Sequence, residues 1–222
     1  MGHMIELTCS DGVKIGAYRA EPARKPKGGI VVLQEIFGVN AHIRSVADRY
    51  AALGYLAIAP ATFDRVEKNV QIAYGPEDFK KGFELIGKVD HSKTPLDIAA
   101  AIEAASEAGK VGLVGFCWGG TLAFASACHQ PGLTACVGYY GGNIIQMVND
   151  QVKVPLMLHF GEKDDHIPME TVHKIMEAHP DVPVYTYPAG HAFNRDGNEA
   201  YHEASAKLAQ ERSTAFFEAR LA

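Results

Sequence analysis

The sequence predicts an α/β fold, a mostly parallel central sheet with helices on both faces, on three observations. Short continuous apolar runs recur along the chain, amphipathic segments lie between them, and the two kinds alternate. A strand buried on both faces reads as an unbroken apolar run, and strands alternating with helices are the pattern of right-handed βαβ units. At 222 residues, folding would bury about 70% of the unfolded surface, enough for one sizeable core. Residues 5–222 read as a single domain, and Met1-Gly2-His3-Met4 reads as an expression scar.

The elements follow in order. Ile5 to Thr8 and Val13 to Arg19, divided by Asp11-Gly12, predict an antiparallel hairpin at one edge of the sheet. Pro22 to Lys27 is a solvated turn, and Gly29 to Leu33 predicts the first fully buried strand. Ile43, Val46, Ala47, Tyr50, Ala51 and Leu53 recur at helical spacing and stop at Gly54. Leu56 to Ala59 is a second buried strand. Thr62 to Ser92 is polar with weak periodicity, which fits either a covering lid or a loosely helical excursion. Thr94-Pro95 reads as an N-cap followed by Pro at the first helical position, opening a helix from Leu96 to Ala108. Strands are expected at Val111 to Gly115, Ala135 to Gly138 and Leu156 to Phe160, with another short one at Val184. Helices are expected at Pro168 to Ala178 and Asn198 to Phe217.

Composition narrows the function classes. Hydrophobic residues are 47% and charged residues 21%, ordinary for a globular protein. With 21 basic against 26 acidic residues and no Lys/Arg cluster, no nucleic-acid partner is expected. No run approaches the roughly 20 apolar residues of a membrane helix, so no membrane partner is expected either. Cys9, Cys117, Cys128 and Cys136 show no Cys-x-x-Cys spacing, which points to a reducing, cytoplasmic setting.

Four strand ends carry chemistry. Val111 to Gly120 is a buried strand, then Gly115-Phe116-Cys117-Trp118-Gly119, then a helical pattern. That is the strand–turn–helix context of a nucleophile elbow, with Cys117 at a helix N-terminus that favours thiolate. Cys117 could equally be a small packed hydrophobe in a tight βα turn. Leu156 to Phe160 leads into Gly161-Glu-Lys-Asp164-Asp165, so an acid follows a strand; either aspartate could orient an imidazole, and Asp165 also suits a helix cap. Val184 to Tyr187 gives way to Gly190-His191, a candidate base. Gln34-Glu35-Ile36 follows the first buried strand, and the backbone N–H groups of Ile36 and Trp118 are the candidate oxyanion donors. Neither Cys117, Cys128 and Cys136 nor His166, His173 and His179 have the spacing of a metal site, so no metal is expected.

These strings resemble the dienelactone hydrolase (carboxymethylenebutenolidase) family of α/β-hydrolases over nearly the whole chain. The resemblance rests on Gln34 to Gly38, Gly115 to Gly120, Gly138 to Gly141, Gly161 to Pro168 and Gly190 to Phe193. It implies an α/β-hydrolase fold, a Cys117–His191–Asp164 triad and no cofactor. It further implies that Glu35 contacts the resting thiol and takes its proton when substrate arrives, that Arg195 contacts a substrate carboxylate, and that Tyr140 lies in the pocket. Where the family has a smaller aliphatic residue after the cysteine, this chain has Trp118. A second cationic anchor would come from Arg65, Lys80 or Lys81. The expected activity is hydrolysis of a small anionic lactone or ester by a monomer or weak homodimer. A carboxylesterase or thioesterase on the same triad, and a non-catalytic binding or redox-sensing protein, are the alternatives.

Overall fold

The computed structural model describes residues 2–221. Eight strands form one sheet: β1 (His3–Thr8), β2 (Lys14–Ala20), β3 (Gly29–Leu33), β4 (Leu56–Pro60), β5 (Val111–Phe116), β6 (Ala135–Tyr139), β7 (Leu156–Gly161) and β8 (Val184–Tyr187). Their spatial order is β1-β2-β4-β3-β5-β6-β7-β8. Only the β1–β2 and β2–β4 pairings are antiparallel. The apolar runs predict this well: β3, β4, β5, β6 and β7 are buried at every position. The fold is that of an α/β-hydrolase.

The described residues form six α-helices: α1 (Ala41–Ala52), α2 (Pro76–Ile86), α3 (Thr94–Ser106), α4 (Trp118–His129), α5 (Met169–Ala178) and α6 (Glu203–Leu221). α1 and α6 share one face, where Tyr50 and Phe217 pack with ring centroids 5.9 Å apart. Neighbouring residues of a strand point to opposite faces. A Cβ on Gly112 would meet Phe217 of α6, whereas one on its strand partner's predecessor, Gly29, would meet Ala105 of α3. Helices therefore cover both sides.

The placement of the site follows from topology. β3 has β4 on one side and β5 on the other, so the chain leaves β3 and β5 in divergent directions. Such a switch point opens a crevice at the carboxyl ends of the strands. Residues 34–36 and 117–118 flank that crevice.

His3 and Met4 pair with Arg19 and Tyr18 and extend β1. Several sequence expectations are corrected. Thr94 is not a cap: α3 begins with it, Lys93 holds the N-cap position, and the helix ends at Ser106, short of Ala108. The last helix starts at Glu203, not Asn198, because 194–202 is an irregular loop. Thr62 to Ser92 resolves into a run of turns and then α2. Asp64 fastens the turns by accepting from Gly16 N at 2.7 Å and Asn69 N at 3.0 Å. Gly82 lets α2 lie close to the loop after β3; a Cβ there would sit 2.6 Å from Ile36 O. Among the described residues no helix is long and apolar enough to cross a membrane.

Candidate active site

Cys117 occupies a sharp turn between β5 and α4 with φ 55° and ψ −114°. L-residues other than glycine avoid positive φ, so this backbone is held against its own preference by its surroundings. The glycines make that possible: a Cβ on Gly115 would lie 1.9 Å from Gly119 O, and one on Gly119 would lie 2.5 Å from Leu33 O. The turn is pinned by Cys117 N donating to Tyr139 O at 3.0 Å. The half-buried sulfur faces an open cavity.

His191 lies in the loop after β8, with Nε2 3.3 Å from Cys117 Sγ. Its Nδ1 is 2.7 Å from Oδ2 of the buried Asp164. The other carboxylate oxygen of Asp164 accepts from His166 N at 2.8 Å and Ile167 N at 3.1 Å. Asp164 thus both orients the imidazole and shapes the turn before α5, while Asp165 is exposed and Pro168 holds the N-cap position. The expected division of labour between the two aspartates is corrected accordingly. Burial alone would lower the proton affinity of His191, but the contacts with Asp164 and Cys117 outweigh it and raise its pKa to about 10. The two contacts hold the imidazole toward its charged form.

Two backbone donors complete the crevice. The N–H groups of Ile36 and Trp118 have no partner among the described residues, whereas the neighbouring Gly119 N donates to Gln34 O at 3.1 Å. Trp118 N–H is also the first amide of α4, where the helix dipole adds to its pull on an anion.

Glu35 meets Arg195 and not the Cys117 thiol. They form a fully buried bidentate pair, Arg195 Nε to Glu35 Oε2 and Arg195 Nη2 to Glu35 Oε1, both at 3.0 Å. The thiol turns to His191, and Glu35 serves as the counter-charge of Arg195. The guanidinium is wrapped by Phe37, Tyr74 and Phe79, at 5.0, 4.5 and 5.9 Å from the ring centroids. A buried arginine needs a compensating anion, and Glu35 is that anion. Arg195 still lines the cavity beside Cys117. Tyr140 is fully buried, its ring centroid 5.0 Å from that of His191 and its hydroxyl unpaired; it supports the histidine from beneath and does not line the cavity. Nor does a second cation reach the cavity from the excursion: Arg65 is held by Asp11 and Asp97, and Lys81 by Glu67.

The cavity measures about 290 Å³ and is roofed by Phe79, Phe83 and Ile86 of α2, with Trp118, His166 and Asn143 at its sides. Sequence reasoning missed these roof residues. Their signal was the spacing of Phe79, Phe83 and Ile86 at i, i+4 and i+7, obscured by the lysines and glutamates between them. Trp118 stacks on Phe63, with centroids 5.3 Å apart. Among the described residues no group of three or more His, Cys, Asp or Glu side chains is placed to hold a metal ion.

Fold and crevice define the class as an α/β-hydrolase. A sequence model of the dienelactone hydrolase family matches residues 15–221. A carboxymethylenebutenolidase of Pseudomonas putida is 35% identical over 225 residues, covering 96% of this chain and 94% of that protein. An Azospirillum brasilense protein provisionally named carboxymethylenebutenolidase is 36% identical over 231 residues, covering 98% of each. A crystal structure from Klebsiella pneumoniae, provisionally named a dienelactone hydrolase, superposes with TM-score 0.86 at 32% identity, covering 98% of this chain and 99% of that one. The chain belongs to the dienelactone hydrolase family, whose named relatives are hydrolases of lactones and esters.

Proposed function

We propose that this protein is a cysteine hydrolase of small, carboxylate-bearing lactones or esters. The observation that carries the reading is the unbroken chain from Cys117 Sγ to His191 to Asp164, at 3.3 and 2.7 Å. The proton of the Cys117 thiol is carried by His191, and the thiolate attacks the substrate carbonyl. The oxyanion that forms is held by the N–H groups of Ile36 and Trp118; loss of one such donor commonly costs 10²–10³ in rate. The imidazolium gives its proton to the departing alkoxide, leaving a thioester on Cys117. His191 then takes a proton from water, the resulting hydroxide attacks the thioester, and the acid leaves as Cys117 returns to thiolate. Asp164 keeps the imidazole in the tautomer that these transfers need. Each step closes on protein groups and water, with no cofactor.

A substrate carboxylate is taken by Arg195, the cation lining the cavity. Because Glu35 already neutralises it, binding is an exchange of carboxylates on one guanidinium, which selects for a substrate acid that can bind bidentately. The test is a panel of lactones, aryl esters and thioesters, each with and without a carboxylate, on wild type, Cys117→Ala and Arg195→Lys. Turnover blocked by iodoacetamide and absent in Cys117→Ala is expected, with carboxylate preference reduced in Arg195→Lys. Full activity in Cys117→Ala overturns the nucleophile, and equal turnover with and without the carboxylate overturns the anionic substrate.

A further inference from the structure

A second cavity of about 450 Å³ adjoins the one at Cys117. Trp118, Thr121 and Asn143 line both, so the two spaces share one wall. That wall begins at the nucleophile. Trp118, Thr121, Leu122, Ala125 and His129 recur at helical spacing along α4 and form a single stripe. At 1.5 Å per residue, the stripe runs about 16 Å from the elbow. Thr121 also fixes the opposite side, its Oγ1 accepting from Asn143 N at 3.2 Å. The far wall is Ile98 and Pro95 of α3 and Met147 of the short 3₁₀ turn Ile144–Met147. The surface is mostly apolar. Within it lies Thr94, only 2% exposed, whose hydroxyl is enclosed without a hydrogen-bond partner.

Cavities of this size, apolar with a few polar points, are the usual form of small-molecule sites. We infer that the second cavity is a subsite for an extended apolar arm of the substrate, running from the carbonyl at Cys117 along α4. Trp118 is the partition, since its indole stands between the two spaces while its backbone N–H faces the oxyanion. The inference rests on the hydrolase reading for its chemistry, but the cavity can be tested without it.

The experiment compares p-nitrophenyl acetate, butyrate and octanoate, and a matching series of acetate esters of lengthening alcohols, on wild type, Ala125→Phe and Met147→Trp. Each variant fills the second cavity from a different wall, so a folding defect peculiar to one does not decide the result. Burying one methylene is worth about fourfold in kcat/KM. Wild type is expected to gain at least tenfold from the shortest to the longest member of one series, and both variants to lose that gain while retaining acetate turnover. Calorimetric binding of octan-1-ol, tight in wild type and weakened at least tenfold in both variants, reads the cavity independently of turnover. Flat length profiles together with unchanged octanol binding overturn the subsite. Absence of turnover on every one of these esters and on the carboxylate-bearing panel, with octanol binding still lost in the variants, overturns the hydrolase reading and keeps the cavity.

Discussion

Two imidazoles sit in one aromatic cluster and behave in opposite ways. Tyr139 packs on His159 with centroids 4.5 Å apart, Tyr140 packs on His191 at 5.0 Å, and the two tyrosines are 6.1 Å from each other. Burial works against the charged form of both. For His159 nothing opposes it: the ring sits between Tyr187 Oη at 2.9 Å and Ser213 Oγ at 3.0 Å, the nearby Arg212 adds repulsion, and its pKa falls to about 3. Two hydroxyls are the right partners for a neutral ring with one donor and one acceptor. For His191 a carboxylate and a thiol reverse the outcome, and the pKa rises to about 10. Enclosure therefore does not set the proton affinity; it amplifies whatever partner the fold supplies. One histidine cements β7 to α6, and the other points at the thiol of Cys117.

The largest test of this contrast is Cys117→Ala. Turnover of any substrate should fall about 10⁴-fold or more, and NMR titration of His191 should show a lower pKa as one of its partners is lost. Asp164→Asn should come next. It removes the remaining anion, and kcat should fall roughly 10⁴-fold, with His191 losing its proton near or below pH 6.5. An unmoved His191 titration would break the comparison outright.

The Glu35–Arg195 pair offers a test on stability alone. Arg195→Ala strands a buried carboxylate and should cost about 3–5 kcal/mol in urea unfolding. The double variant Glu35→Gln, Arg195→Leu should recover most of that loss, since no charge is then stranded.

The pH dependence of stability follows from the two directions. His191 has a raised folded pKa, so its contribution is complete below about pH 6.5 and fades as pH climbs toward 10. His159 has a lowered folded pKa, so its contribution is present above about pH 6.5 and is lost as pH falls toward 3. At pH 4.5 the His159 share should have cost about 2–3 kcal/mol relative to pH 8. His159→Gln should flatten that acid limb in melts recorded from pH 8 to 4.5, leaving the alkaline limb in place. The smallest effect is expected at the roof. Phe83→Ala, at a ring 62% exposed, should change stability by no more than about 0.5 kcal/mol while altering KM.

What the sequence revealed and what it hid divide along a physical line. The sheet was legible because strands buried on both faces leave an uninterrupted apolar record, as at Gly29 to Leu33 and Leu156 to Phe160. Cys117 and Asp164 were legible because each follows such a strand, and His191 because it follows the short half-buried β8. Their meeting depends only on the parallel register, in which Phe116, Tyr139, His159 and Tyr185 are successive neighbours. Turn and cap chemistry was less legible. Thr94 looked like a cap, yet tertiary packing buried it, and Pro168 holds the N-cap position that Asp165 seemed to suit. The partner of Glu35 was hidden because a carboxylate at a strand end can face a thiol or a guanidinium, and only the path of residues 192–195 decides. That path turns through Ala192 at φ 62° and carries Arg195 inward.

The backbone of Cys117, held at φ 55°, has a consequence for how this chain can drift. Glycine adopts such angles freely, whereas other residues there cost of order 1–3 kcal/mol. A Cys117→Gly chain should thus melt higher than the parent although it lacks the sulfur altogether. A screen that rewarded soluble expression alone would enrich the glycine form. Under the hydrolase proposal, the cysteine persists only under a demand for chemistry.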